Sequence, residues 1–555
     1  MTKRATLVIA LFAATATVGA QVSYDRLRQA DREPQNWLTY SGSYASQRHS
    51  LLTQITPANV KNLEMQWVFQ ARSLERFQAT ALVVDGILYT VQAPNDIMAL
   101  DAVTGRVFWT YSYRPSAAAR PCCGRVNRGV AILDGTLFMG TIDGHLIAVD
   151  AKTGKPIWDV AIAKPESGYA LTHAPLAVKD KVIVGPAGGE FGIRGFLAAY
   201  DAKTGKEVWR FNTIPGPGEA GHDTWGGDSW KRGGGPVWLT GSYDAELNLT
   251  YWGIGNPGPD YNGDLRPGDN LYTSSVVALD ADTGRLKWHY QFTPHDEFDF
   301  DAAQIPVLAD ARWPEGTASS RSGQPGRPRK LMYWANRNGF FYVLDRATGE
   351  FLSGKPFVKV TWATGFDERG RPIQPVDKRP NAEGVLIFPG NQGGTNWYSP
   401  SYSPRTGLFY IPTWLNYDTV YAKRPVEFVE GQSFGGGNPR TTIPAGIQTA
   451  TNNYQTEDEG HGAIRAIDPL TGEKRWDFKM ADVTDAGVLT TASDLLFSGG
   501  REGYFYALDA RTGAQLWKTS LGGQIVNGPI SYAVDGKQYV SVISGNSLVT
   551  FGLRE

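Results

Sequence analysis

The chain has 555 residues, with 54 basic against 55 acidic side chains and a formal charge of −1 at pH 7. That balance argues against the basic footprint of a nucleic-acid-binding domain. Hydrophobic residues at 41% suffice for a large core, and abundant glycine (64), tyrosine (25) and tryptophan (17) predict many short strands joined by tight turns.

Residues 1–20 read as an export signal. Lys3 and Arg4 precede an apolar run from Ala5 to Val18, and the small residues Gly19 and Ala20 set a cleavage point after Ala20. No later stretch reaches the ~18 uninterrupted apolar residues of a transmembrane helix. The expectation is a soluble exported protein, periplasmic in a Gram-negative cell, whose residues 21–555 form one domain.

One pattern then recurs: ALDAVTGRVFW from residue 99, AVDAKTGKPIW from 148, AYDAKTGKEVW from 199, ALDADTGRLKW from 278, AIDPLTGEKRW from 466 and ALDARTGAQLW from 507. A seventh copy, VLDRATGEFL from Val343, lacks the tryptophan, and Trp67 in NLEMQWVF is the remnant of an eighth. In each copy an apolar strand ends at Asp, Asp and Thr hydrogen-bond the turn, Gly supplies a positive φ, and Trp starts the returning strand. Each copy is one β-hairpin. Intervals of 49 residues (99 to 148) and 51 residues (148 to 199) fit a four-stranded blade. Eight copies predict an all-β fold, an eight-bladed β-propeller with four-stranded antiparallel blades.

Between the repeats stand the features with chemical content. The only two cysteines, Cys122 and Cys123, are adjacent. An oxidising compartment permits a disulfide between them, although bonding neighbours closes a strained ring, so two reduced thiols stay open as the alternative. No CxxCH occurs, so covalent c-type haem is not expected and electrons removed by the protein must leave through another one. PHDEFDFD, residues 294–301, packs four carboxylates and a histidine into eight positions. Taken alone such a run is a solvated loop. Residues 415–462, polar and Gly-rich, read as a surface loop or lid inside one blade.

Taken together, the Trp repeat, CCGRVNRG, GGEFGIRG, GNPGPDYNGDLRPGDN and PHDEFDFD resemble the quinoprotein alcohol dehydrogenases, whose eight-bladed propeller holds pyrroloquinoline quinone (PQQ) and a metal ion. The similarity runs through nearly all of the mature chain. It implies a metal held by Glu190 and Asn256, with Asp299 as both ligand and catalytic base. Asp301 follows two residues on, and in an extended segment both aspartates face one side. Members that use lanthanides carry Asp there, and three carboxylates match a trivalent ion, so the expectation is a lanthanide with Ca²⁺ as the alternative. His295 is expected to orient the loop and not to bind metal, because hard ions disfavour imidazole.

The resemblance also implies a PQQ pocket. Trp238 lies beneath the ring and a Cys122–Cys123 disulfide above it. Arg128 meets a carboxylate, Thr172 donates a hydrogen bond, Arg337 reaches the quinone oxygens, and Asn391, Gly188 and Gly189 touch the cofactor. Gln78, Ala187 and Pro236 stand where the family commonly has other polar residues, and residues 484–489 lack a Trp that several members carry. The implied activity is oxidation of alcohols to aldehydes with electrons passed to a separate cytochrome c, by a protein with no membrane span, and a homodimer stays open beside a monomer. A PQQ-dependent sugar or polyol dehydrogenase using Ca²⁺, or a binding propeller with no catalysis, are the rival expectations.

Overall fold

The computed structural model describes residues 22–314, 326–437 and 460–554. The export signal and much of the 415–462 excursion lie outside them. Eight sheets make up the ring: blades 1 (82–112), 2 (131–161), 3 (176–212), 4 (242–291), 5 (307–356), 6 (401–479) and 7 (489–520), then blade 8, built from 530–553 and closed by Leu63–Gln70. The closing strand runs antiparallel to Ser547–Leu553, so the two ends of the ring are joined by hydrogen bonds. Trp67, the remnant of the eighth repeat, lies on that strand. Blade 7 gains a fifth strand, His49–Ser50, paired in parallel with Leu489–Thr491. Among the described residues no helix is long and apolar enough to cross a membrane.

First strands such as Ala131–Leu133 are buried throughout, whereas fourth strands such as Pro156–Ala161 alternate between exposed and half-buried residues. The first strand therefore lines the hub and the fourth faces water.

The repeated turn holds adjacent blades together. Asp101 Oδ1 accepts the backbone N–H groups of Val103 and Thr104, both at 2.9 Å, and Gly105 takes φ 71° to complete the turn. The indole of the preceding blade lies on that glycine: Trp67 on Gly105, Trp109 on Gly154, Trp158 on Gly205, Trp209 on Gly284, Trp288 on Gly349 and Trp476 on Gly513. A Cβ at any of these glycines would strike the ring. The indole N–H donates to a carbonyl of the next blade, Trp67 to Ala102, Trp209 to Ala281 and Trp476 to Ala510. Thus Trp, read from sequence as the start of a returning strand, also docks one blade on the next. Blade 5, whose repeat lacks Trp, covers Gly472 of blade 6 with the aliphatic stem of Lys355.

Antiparallel order within each blade sends its connections to alternate ends of the ring. Turns from first to second and from third to fourth strand emerge at one end. Loops from second to third strand, and crossings from blade to blade, emerge at the other. Every candidate site residue lies in this second set. Glu190, Asn256 and Arg337 sit in second-to-third loops of blades 3, 4 and 5, and Asp299 and Asp301 in the crossing from blade 4 to blade 5. The excursion, between Leu408–Leu415 and His461–Ile467 of blade 6, rises at the same end.

Trp209 is nearly buried between blades 3 and 4. Its replacement by Ala is expected to cost about 3–5 kcal/mol in urea unfolding, and a loss below about 1 kcal/mol would contradict the docking role.

Candidate active site

The acidic octapeptide is an organised loop. Asp296, fully buried, accepts the backbone N–H groups of Phe298 (2.9 Å) and Phe300 (2.8 Å) and the Ser274 hydroxyl (2.9 Å). Burial pushes its carboxyl up to about 6. The buried Arg266 guanidinium donates to the carbonyls of Asp296, Pro259 (3.0 Å) and Asp260 (3.1 Å), tying this loop to the GNPGPD segment. Phe298 and Phe300 turn into the core beside Trp362. A ring nitrogen of His295 meets the Gly268 carbonyl at 2.7 Å, the orienting contact anticipated for it.

The segment is not extended. Asp299 adopts φ 60° and His295 φ 51°, in the left-handed region, and no strand is formed over 294–301. Period-two reasoning therefore fails here because the buried Asp296 folds the backbone around itself. The two aspartates nevertheless converge, on Arg337: Nη2 donates to Asp299 Oδ2 at 2.9 Å and Nη1 to Asp301 Oδ2 at 2.6 Å.

Asp301 Oδ1 accepts the backbone N–H of Asn256 at 2.6 Å. The Asn256 amide in turn donates to Asp260 Oδ1 at 2.6 Å, which leaves Asn256 Oδ1 buried with no partner. An orphaned buried oxygen costs free energy unless something electropositive meets it. Gly189 and Gly255 make room around this group: a Cβ at the first would strike Asn256 Oδ1, at the second Asp301 Oδ1. Burial pushes the carboxyls of Glu190, Asp260, Asp299 and Asp301 up, and repulsion from neighbouring carboxylates adds to it at Glu190, Asp260 and Asp299. Arg337 opposes the rise at Asp299 and Asp301.

Glu190 stands apart from the aspartates. Its Oε1 meets Cys122 Sγ at 3.3 Å, and its carbonyl accepts the N–H of Phe434, in the excursion, at 2.6 Å. Among the described residues, the ligating atoms that lie within 4.8 Å of one another are those of Cys122, Cys123 and Glu190, not of the three acids expected to share a cation. Arg337 lies between the two aspartates and offsets one of their two charges. Cys122 and Cys123 are free thiols, in place of the expected disulfide. A hydrogen bond with Cys123 and the nearby Glu190 push the exposed Cys122 thiol up, which disfavours the thiolate a soft metal needs.

Beside the acids lies a flat, cationic pocket. The Arg128 guanidinium packs over Trp238 (5.1 Å) and Trp397 (4.7 Å), and its Nη1 meets Thr172 Oγ1 at 3.2 Å. Arg128 Nε is buried without a partner, as is Gln78 Oε1. The Asn391 carbonyl accepts from Arg337 Nε at 2.8 Å, so Asn391 positions that guanidinium. Ala187 pairs with Ala170 through its backbone, next to Gly188 at φ 119°. Pro236 packs against the space beside Gly189 and Gly255. Behind Thr172, His173 is buried and neutral: Nδ1 donates to the Ala174 carbonyl at 2.8 Å and Nε2 accepts the Gly185 N–H at 3.1 Å.

These donors fit a planar polycarboxylate, and the orphaned Asn256 oxygen among buried acids fits a hard cation. Sequence reasoning missed Asp260, which orients Asn256, and Trp397, the second aromatic on Arg128. Asp260 stands inside the quoted GNPGPD motif, whereas Trp397 carries no repeat or spacing signal.

The family profile described as glucose/ethanol/alcohol dehydrogenase, beta-propeller domain, matches residues 37–383. The quinoprotein alcohol dehydrogenase PedH of Pseudomonas putida is 38% identical over 97% of this chain and 91% of its own. The chain belongs to the quinoprotein alcohol dehydrogenases. The lanthanide-dependent methanol dehydrogenase of Methylacidiphilum fumariolicum is 36% identical over 98% of this chain and 90% of its own. The crystal structure of the quinohemoprotein alcohol dehydrogenase from Comamonas testosteroni superposes with a TM-score of 0.86 at 34% identity, over 96% of this chain and 84% of that one. A profile described as outer membrane protein assembly factor BamB matches residues 460–552, across the last blades. As a quinoprotein alcohol dehydrogenase the protein is a PQQ-dependent alcohol oxidoreductase with an eight-bladed propeller.

His173 gives the site a pH-dependent support. Burial lowers its pKa from 6.5 to about 4. Its stabilising contribution is therefore full above pH 6.5 and is lost as pH falls toward 4, by about 2 kcal/mol at pH 5. Urea unfolding at pH 7 and pH 5 should show His173→Gln losing about 2 kcal/mol less than the native chain; equal losses would contradict this.

Proposed function

We propose that this quinoprotein alcohol dehydrogenase works in the periplasm with PQQ and a lanthanide ion, oxidises small alcohols to aldehydes, and passes electrons to a separate c-type cytochrome. The observation that carries the metal reading is the buried Asn256 Oδ1, unpartnered and held toward its site by Asp260.

Glu190, Asn256, Asp299 and Asp301 are the residues to hold the cation, and Trp238, Arg128, Thr172, Gln78 and Asn391 those to hold PQQ. When bound, PQQ supplies a two-electron acceptor and the cation a Lewis acid beside it. Asp299 takes the proton from the alcohol hydroxyl. Its carboxylate is aimed by the left-handed turn at its own backbone, by Arg337 at 2.9 Å and by Tyr261 Oη at 3.4 Å from Oδ2. The surrounding burial raises the Asp299 carboxyl, which makes its carboxylate a stronger base than a solvated aspartate. Phe434, from the excursion, holds the Glu190 backbone in place.

A count of three carboxylates leaves out one charge of each sign, Asp260 and Arg337. These cancel, so a trivalent ion remains the better match than Ca²⁺. Cys122 and Cys123 are proposed to close a disulfide after export, two thiols giving up two electrons and two protons to the oxidising compartment. The lanthanide-dependent methanol dehydrogenase, 36% identical over 98% of this chain, supports the metal reading.

Purified apoprotein given PQQ with La³⁺ should reduce an artificial dye in the presence of short alcohols, with less activity under Ca²⁺ and none with chelator. Asp301→Ala should abolish the La³⁺ response while the far-UV circular dichroism spectrum stays that of the native fold, although loss of the Arg337 and Asn256 contacts lowers stability. Full La³⁺ activity in that variant would overturn the lanthanide reading, and inert native protein with PQQ, any cation and alcohol would return the chain to a binding propeller.

A further inference from the structure

Two blade crossings border the site at one edge. Residues 71–81 carry Arg72, Arg76 and a single acid, Glu75; residues 113–130 carry Arg114, Arg120, Arg125 and Arg128 and no acid at all. Arg128 is buried in the cofactor pocket. Arg72, Arg76, Arg114 and Arg120 are exposed, and among the described residues none of them makes an ion pair. In a chain with a net charge of −1, this edge is a concentrated positive patch.

Between Arg72 and Arg76 in the chain stands Leu74, 96% exposed, the most exposed large hydrophobic side chain among the described residues. The turn that carries it is fixed. The Arg72 N–H donates to Gln92 Oε1 at 2.5 Å, the Glu75 N–H to Ser73 Oγ at 3.1 Å, and the Asn546 amide to the Ser73 carbonyl at 2.8 Å. Fixing a leucine in water gives the isolated chain nothing. An apolar tip inside a charged rim is instead the anatomy of a small, transient interface.

The patch is also connected to the reacting centre. Arg125 Nε meets Glu75 Oε1 at 3.7 Å, three residues beyond Cys122, whose Sγ meets Glu190 Oε1 at 3.3 Å. Leu74 is thus linked to the site's edge through one ion pair and one short stretch of chain.

We infer that Leu74 and the exposed Arg72, Arg76, Arg114 and Arg120, on two crossings joined by the Arg125–Glu75 contact, form the docking surface for the electron acceptor, a soluble c-type cytochrome with an acidic face around its exposed haem edge. This rests on the proposed alcohol oxidation, which releases two electrons and two protons per alcohol. Each docked cytochrome takes one electron from the reduced site and leaves, so two dockings complete a turnover and the protons pass to water. The arginines steer encounter through long-range attraction, and Leu74 enters the apolar centre of the contact. None of these side chains belongs to the cation or PQQ site.

The test uses the holoenzyme with an acidic soluble c-type cytochrome as acceptor, a basic mitochondrial-type cytochrome c as control, and a small dye as the readout of the active site itself. Combined Arg72→Glu, Arg76→Glu and Arg120→Glu substitution should lower kcat/KM for the acidic cytochrome at low salt by about tenfold or more and raise it for the basic one, both effects fading at high salt. Leu74→Ala should raise KM for the acidic cytochrome several-fold with the salt dependence unchanged. Dye-linked kcat should stay native in both variants. Unchanged cytochrome kinetics alongside native dye activity would overturn the docking surface and leave alcohol oxidation standing. Native protein that fails to reduce even the dye would overturn the alcohol oxidation on which the surface rests. Binding of native protein to anionic vesicles, lost in the triple variant while cytochrome kinetics stay native, would assign the patch to a lipid surface and overturn the inference.

Discussion

Four carboxylates at one end of the hub, Asp260 and Asp301 buried and Glu190 and Asp299 half-buried, set the terms for everything around them. Removing a carboxylate from water costs several kcal/mol even after the protein relaxes, and Glu190, Asp260, Asp299 and Asp301 crowd this cost into one place. Arg337 offsets part of it by bridging Asp299 and Asp301, and the Asn256 backbone and amide offset another part. The balance stays short by one interaction, as the unpartnered Asn256 oxygen shows. A cation is the species that satisfies an orphaned amide oxygen and several anions at once. On the proposed reading the acids are the reason for a metal as much as its ligands.

Holding such a cluster requires a frame that does not yield to repulsion, and the propeller supplies it. The acids come from loops far apart in the chain, Glu190 in blade 3, Asn256 and Asp260 in blade 4, and Asp299 and Asp301 in the crossing to blade 5. Their separation depends on how neighbouring blades sit. That is fixed by indoles lying on turn glycines, such as Trp158 on Gly205, Trp209 on Gly284 and Trp288 on Gly349, at these same blades. Closure of blade 8 by Leu63–Gln70 keeps the ring from opening. The strands that form the hub are buried along their length, some as apolar runs such as Leu82–Val84 and Ala131–Leu133, so stiffness comes from packing and leaves the loops free to carry charge.

The architecture was legible because it is periodic. Asp, Thr, Gly and Trp recur at fixed offsets, and each has a local task that a single copy already reveals. Even the copy without Trp could be placed, although its substitute, the stem of Lys355 over Gly472, lies outside any motif. The site was legible in its residue types and less so in its geometry. PHDEFDFD read as an extended segment with Asp299 and Asp301 on one side, but the side chain that folds it, Asp296, acts on backbone N–H groups two and four residues ahead, and bends the chain to φ 60° at Asp299. The same holds for Asn256. Its identity was readable in GNPGP, while the contact that frees its oxygen comes from Asp260 four residues on. Cys122 against Glu190, Trp397 beneath Arg128, and Phe434 on the Glu190 carbonyl depend on distant segments meeting, which no local spacing encodes.

Anomalous diffraction at a lanthanide absorption edge, on crystals of the protein loaded with PQQ and that lanthanide, tests the central claim most directly. The account predicts one strong peak bonded to oxygens of Glu190, Asn256 and the two aspartates, with Asn256 Oδ1 among them. A peak at Cys122 and Cys123 in its place, or a loaded, active protein with no ion beside Asn256, would contradict it.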